Sequence, residues 1–405
     1  MSNRLFDNYS LVGYLVKIMN IKKAFLWPVV LLLFSAGVFL LFSGEILPRM
    51  VDFEVNYKAA QRLTWGETLY RVADGHYQFK YPPLAAFLYL PLILFPLPIA
   101  KFIWFYLSLL ASAGLLLGSA RLVAKEQKWR WWLPVGTGVI LARYFLRELS
   151  LGQINAMITL GLIMFVHHWE KAIIFNKSNI SSFIPGLLFA LTTASKPYAL
   201  IFFPLIILRR AWKIFLFSSA FLAGAFFLPT IFYGFHGNWL VHKEWLSHLR
   251  QSTPPLLSSQ DNVSIYGLLA KWGGPGFPAW IGGTIAVVFM ALVMLWAVLS
   301  SSGLSRPLTL EASALLLLIP LVSPLGWDYN FISAAPAISL LLTNFPFLPR
   351  RDKYFLVLIF ATISLSIYDL LGRKIYSSLM ALCLPTLLFL VIFLHLLWLR
   401  YKKTA

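Results

Sequence analysis

The chain has 405 residues, of which 59% are hydrophobic and 12% charged, with a mean hydropathy of +0.76 and a formal net charge of +19. No soluble domain needs that much apolar surface to fill a core, so the composition excludes an ordinary globular protein and predicts an all-α polytopic integral membrane protein. The surplus lysines and arginines stand in short clusters between apolar runs, as the positive-inside rule produces, which speaks against nucleic-acid binding.

Along the chain, residues 1–24 read as a cytoplasmic segment, and the apolar run Phe25 to Leu47 is long enough to span and reads as an uncleaved signal anchor. Further apolar segments recur at 84–98, 102–119, 132–147, 153–169, 183–195, 197–208, 213–235, 277–300, 308–322, 329–346, 354–371 and 376–399, predicting about 11–13 membrane helices in a single integral domain over 25–399. A cytoplasmic basic tail at 400–405, alternation backward from it, and the clusters at 350–353, 209–213 and Arg121, Lys125, Lys128 and Arg130 agree on sidedness. Lys17, Lys22 and Lys23 also ask to be cytoplasmic, which requires one segment not to cross. The short 84–98, with Pro91, Pro96 and Pro98, is that segment. Outer loops are then expected at 48–83 and 236–276.

This arrangement gathers the polar motifs at one face: Asp52, Gly152-Gln153-Ile154-Asn155, Ser195-Lys196-Pro197, the 236–276 loop and Ser323-Pro324-Leu325-Gly326-Trp327-Asp328. Asp52 at a membrane exit is costly unless paired or hydrated, and reads either as a solvated acid beside Arg49 or as a catalytic carboxylate. Periodicity from Phe53 to Leu63 predicts an amphipathic interfacial helix that carries Tyr57 and is closed by Gly66. Tyr81-Pro82-Pro83 holds the following chain extended, roofing a cavity at the membrane edge. Cys383 stands alone, which leaves no intrachain disulfide and no cysteine-based metal site. His242 and His248 are six apart and no H-E-x-x-H occurs, so no metal is assigned; the chain also lacks a Walker loop, a dinucleotide-binding glycine pattern and a D-x-D triplet, and no cofactor is predicted.

The string D-F-x-V-x-Y-x-A-A from Asp52, then G-x-x-L-Y from Gly66 and F-x-Y-P-P-L from Phe79, resembles the first loop of the bacterial glycosyltransferase family 87. G-Q-I-N at 152–155, S-K-P at 195–197 followed by Arg209-Arg210, N-x-S-x-x-G-L-L at 262–269 and S-P-L-x-W at 323–327 follow in that family's order, so the resemblance runs from about Val51 to Asn330. It implies a glycosyltransferase C-like fold and polyprenyl-phosphate-mannose-dependent transfer of a hexose to a lipid or glycan acceptor, in the cell membrane with the active site extracytoplasmic. It also puts a general base at Asp52. An inverting transfer from a lipid phosphate needs one such base, unlike the carboxylate pair of glycoside hydrolysis. Glu54 then reads as a solvated or structural acid. Lys196 reads as the phosphate ligand or as a snorkelling anchor, Gln153 and Asn155 as sugar-binding amides or helix caps, and Trp327 as a hexose platform or a belt tryptophan. Asn262 and Ser264 are expected to contact acceptor or lipid. Where the family shows a histidine after the tryptophan this chain reads W-D-Y-N, so Asp328 or Tyr329 stands in its place. The rival expectation is a flippase for lipid-linked sugars, with Asp52 and Lys196 as a coupling pair.

Overall fold

The computed structural model describes residues 35–40, 42–75, 77–124, 131–175, 179–274, 276–300 and 307–401. The expected segment 1–24, much of the anchor before position 35, Lys125, Lys128 and Arg130, and the end of the basic tail lie outside the described residues. Contacts divide the chain into two units, Met1–Arg49 and Met50–Ala405. The described part of the first is helical, with a π turn at Phe42–Ile46, a 3-10 turn at Leu47–Arg49 and an exposed Glu45–Arg49 pair at 2.9 Å.

The regular structure of the second unit's described residues is helical, and the one extended pairing is an isolated bridge between Asn262 and Trp327. Its helices in order are α1 Val51–Thr64, α2 Pro83–Phe87, α3 Leu97–Val123, α4 Trp132–Ile140, α5 Ala142–Leu151, α6 Asn155–Phe175, α7 Asn179–Ser195, α8 Phe203–Leu208, α9 Trp212–Phe227 and α10 Thr230–Ser252. They continue with α11 Ile265–Gly273, α12 Ala279–Leu299, α13 Pro307–Val322, α14 Ala335–Asn344, α15 Arg350–Leu365, α16 Tyr368–Ala381 and α17 Leu384–Tyr401. Among the described residues, four helices are long and apolar enough to cross a membrane: Leu97–Val123, Ala279–Leu299, Asp328–Phe347 and Leu384–Tyr401. Three bent pairs, α5 with α6, α9 with α10 and α15 with α16, pass the same test only together, at bends of 119°, 95° and 102°.

Several expected spans are therefore broken. The 132–147 run divides at Leu141 into α4 and α5. The 84–98 segment, expected not to cross, is a short helical turn, a 3-10 turn at Leu90–Leu94 and the start of α3. The predicted outer loop over 236–276 is largely helix: α10 resumes after Gly234 and runs to Ser252, because Val241, Trp245, His248 and Leu249 share one inward face. The 354–371 and 376–399 runs hide a separate α16 between α15 and α17, where Ser366 and Ile367 interrupt the helix. Broken helices are tolerated at membrane depth only where neighbouring protein satisfies the freed backbone groups. That protein is organised around α13, whose residues from Leu308 to Leu321 are all buried. Near its N-terminus, Glu311 pairs with Arg209 and, at 2.9 Å, with Arg400, joining two basic clusters at one end of the helix.

The amphipathic helix expected over 53–63 forms as α1 and ends at Gly66, which has φ +65°. The following loop is fastened to α10 by Tyr233 donating to the Glu67 carbonyl at 2.7 Å and by the Trp245 indole donating to the Lys80 carbonyl at 3.1 Å. Beneath it Ala59, Leu63, Leu69, Phe79 and Val241 form an apolar cluster. Arg62 grips Asp74 through two hydrogen bonds, of 2.5 and 2.8 Å, and this bonding holds the Asp74 carboxyl below its ordinary value. A depressed carboxyl contributes stability above its unfolded value of about 4 and loses it as pH falls through the folded value. Asp74→Asn is therefore expected to cost about 1 kcal/mol at pH 7. Thermal unfolding in detergent should show the gap to the wild type closing as pH is lowered below about 4.

Candidate active site

Three breaks in the helices carry the polar motifs to one place. The first follows α5, which ends on Gly152 in the left-handed region at φ +71°. A Cβ there would lie 2.7 Å from that of Phe53, so the position admits only glycine without movement. The Trp104 indole donates to the Gly152 carbonyl at 2.9 Å, and α6 restarts at Asn155, leaving Gln153 in the gap. The second break is at Lys196, whose extended backbone (φ −145°, ψ 120°) precedes Pro197 and a 3-10 turn. The third is the Ser323–Trp327 turn after α13.

This third turn is locked by the residues expected to meet acceptor or lipid. The Asn262 amide donates to the Leu257 and Pro324 carbonyls, both at 3.0 Å, and its oxygen accepts from Ser264 N and Gly326 N at 3.1 Å. Ser264 donates to the Pro324 carbonyl and caps α11 by accepting from Gly267 N at 2.9 Å. Both side chains are fully buried and absent from the cavity wall, so their geometry is that of a latch.

The cavity has a volume of about 1130 Å³. Its walls carry the polar groups Asp52, Lys80, Tyr81, Gln153, Lys196 and Arg147 and the apolar side chains Leu249, Leu256, Trp280, Ile319 and Val322. Trp327 and Tyr329 also face it, at the end of α13 away from Glu311. Of the residues singled out in the sequence, Asp52, Lys196, Gln153, Tyr81 and Trp327 meet here, while Tyr57, Asn155, Asn262, Ser264 and Asp328 do not line it. Tyr57 instead donates to the Phe95 carbonyl at 2.9 Å, fastening α1 to the turn before α3.

Gln153 ties several of these polar groups together. Its amide nitrogen donates to Asp52 Oδ2 at 2.6 Å and to the Tyr329 hydroxyl at 3.1 Å, and its oxygen accepts from the Tyr81 hydroxyl at 3.0 Å. Burial pushes the Tyr81 phenol well above its ordinary value, so it stays a donor. Asn155 lies behind, 3.4 Å from Gln153 Oε1, and accepts from Lys196 Nζ at 2.6 Å. The Lys196 ammonium also sits over the rings of Tyr81 and Tyr198, 4.8 and 5.1 Å from their centroids. Lys80 faces Asp52; burial pulls its ammonium below the usual lysine value and the carboxylate opposes that pull. Glu54, two residues from Asp52, turns away to pair with buried Lys101 at 2.6 Å.

Asp328 is fully buried and held by Arg143 at 2.9 Å and Arg147 at 3.0 Å, so Tyr329, not Asp328, occupies the wall after the tryptophan. Arg147 also pairs with Asp261 at 2.6 Å, across to the segment before α11. Both arginines and Glu148 escaped the sequence reading, although three charges inside the 132–147 run and its continuation were the signal. At i and i+4, Arg143 and Arg147 share a helix face, and intramembrane charges mark sites by default.

The sequence model of glycosyltransferase family 87 matches residues 79–324, more than half of the chain. The chain belongs to glycosyltransferase family 87. The match takes in the walls carrying Tyr81, Gln153 and Lys196; Trp327 lies just beyond its end, and Asp52, with the rest of α1, lies before it. No curated protein and no solved structure matches the chain. As a family 87 chain it is a membrane glycosyltransferase, with a sugar donor and an acceptor as its substrates.

The turn that presents Trp327 is the least forgiving part of the wall. A Cβ on Gly326 would stand 1.9 Å from the Pro320 carbonyl oxygen, a backbone atom that no side-chain rotation can clear. Gly326→Ala should destabilise the protein by about 1–3 kcal/mol, read as a lower unfolding temperature in detergent. A native melting curve for this variant would contradict the turn as described.

Proposed function

We propose that the protein is an inverting hexosyltransferase that moves a hexose, mannose in this reading, from a polyprenyl-phosphate donor to a lipid or glycan acceptor at the outer face of the cytoplasmic membrane. The observation that carries the reading is that one carboxylate, Asp52, and one buried ammonium, Lys196, face the same cavity through a continuous amide chain. Asp52 takes the proton of the acceptor hydroxyl as that oxygen attacks the anomeric carbon. Lys196 stabilises the phosphate as the glycosidic bond breaks and negative charge gathers on it. The apolar side chains of the cavity wall suit the first isoprenoid units, and Trp327 offers a ring for the sugar's apolar face. The flippase alternative draws on the same two charges, but needs polar groups reachable from both membrane faces, and the motifs gather at one end.

Reconstitution with labelled polyprenyl-phosphate mannose separates the two: transfer to acceptors in a lipid extract supports the enzyme, whereas movement of intact lipid-linked sugar without transfer would sink it. Asp52→Asn keeps the shape and loses the proton acceptor, so turnover should fall about 10²–10⁴-fold with donor binding retained. Glu54→Gln replaces the carboxylate that pairs with buried Lys101 by a neutral amide, so it should lower stability yet keep turnover per folded molecule. A dead Glu54→Gln beside an active Asp52→Asn would mean the base is misplaced.

The outward-facing reading draws on Arg209 and Arg400 meeting at the end of α13 away from the cavity. With those clusters cytoplasmic, the cavity opens outside. Tyr77→Cys, at an exposed position on the cavity rim, should react with a membrane-impermeant thiol reagent in intact spheroplasts in a Cys383→Ala background. Reaction only after permeabilisation would reverse the orientation.

A further inference from the structure

Glu148 touches none of the cavity, yet it is completely buried at the end of α5, directly behind the site. Its two oxygens have separate tasks. Oε1 accepts from Ala156 N at 3.0 Å, satisfying a backbone donor in the first turn of α6, where the helix dipole favours an anion. Oε2 accepts from the Asn155 side-chain nitrogen at 2.8 Å, and that same nitrogen faces Gln153 Oε1 at 3.4 Å. With its nitrogen held between two acceptors, the Asn155 amide has one orientation. Flipping it would set its oxygen against the carboxylate and the glutamine oxygen, and its NH₂ against the ammonium. Asn155 Oδ1 is thereby aimed at Lys196 Nζ, 2.6 Å away.

We infer that Glu148 is a positioning residue for Lys196: through Asn155 it fixes where the ammonium stands, and it supplies the buried negative charge that offsets it. A dry cation without such a counter-charge is costly, and a phosphate ligand is effective only when held in place before the phosphate arrives. The inference rests on the reading of Lys196 as the phosphate-facing group.

The test exchanges the two groups. In the purified full-length protein, Glu148→Gln should weaken binding of polyprenyl phosphate and lower kcat/KM for the donor by about 10–100-fold, the range typical of groups that orient a primary ligand, with the acceptor KM unchanged. Asn155→Asp alone sets two carboxylates against each other and should be impaired as well. The double variant Glu148→Gln/Asn155→Asp restores one carboxylate and one amide in reversed order, with the new carboxylate on Lys196 and the glutamine accepting from Ala156 N and donating to the new carboxylate; the long 3.4 Å contact to Gln153 Oε1 is the one hydrogen bond it gives up. It should recover to within about fivefold of the wild type, a coupling that two independent structural lesions do not show. Native phosphate binding by Glu148→Gln, or a folded double variant no better than its weaker parent, overturns the inference. Should Glu148→Gln not fold, the double variant decides alone, and a double that cannot fold makes the carboxylate structural and overturns the inference too. Wild-type protein that binds polyprenyl phosphate without transferring hexose would sink the transferase reading and leave this comparison of affinities standing.

Discussion

A charge enclosed by an apolar helical bundle has to be answered within hydrogen-bond reach, and nearly every feature of this site follows from that demand. Lys196 is answered by Asn155, Asn155 by Glu148, and Glu148 by the backbone of α6. Asp52 is answered by Gln153, which two tyrosines hold. None of these side chains could reach its partner from an unbroken helix, so the breaks at Gly152, Lys196 and the Ser323–Trp327 turn are the means by which polar groups leave the helix surface and converge.

Much of this arrangement was legible in the sequence, because breaks leave marks. Glycine at 152, proline after Lys196 and the Ser-Pro-Leu-Gly turn each interrupt an apolar run, and each carries a residue to the cavity. The amphipathic α1 was readable for a related reason, since a helix with one wet and one dry face keeps a strict period. The helix boundaries were harder. Hydropathy reports how apolar a stretch is and not where it bends, so the divisions at Leu141 and between α15 and α16 were invisible, and the amphipathic α10 passed for a loop.

The roles of individual polar residues were the least legible. Asn262 and Ser264 stand in a motif and sit beside the site, yet their hydrogen bonds go to backbone atoms of a neighbouring turn. Asp328 follows the cavity tryptophan and points into a pair of arginines. Adjacency in sequence says little about which way a side chain faces once the helix around it is broken, whereas spacing within an intact turn, as for Arg143 and Arg147, says a good deal.

The same two arginines reach beyond the stretch that matches the family. Arg143 donates to the Ser366 carbonyl at 2.6 Å and to the Tyr376 hydroxyl at 3.1 Å, on the segment joining α15 to α16 and on α16 itself. The boundary at Pro324 is thus a boundary of recognisable sequence and not of the folding unit. A fragment cut there would retain two guanidinium groups inside a bundle stripped of Asp328, Ser366 and Tyr376. The C-terminal helices are therefore part of what keeps those two arginines paired inside the bundle.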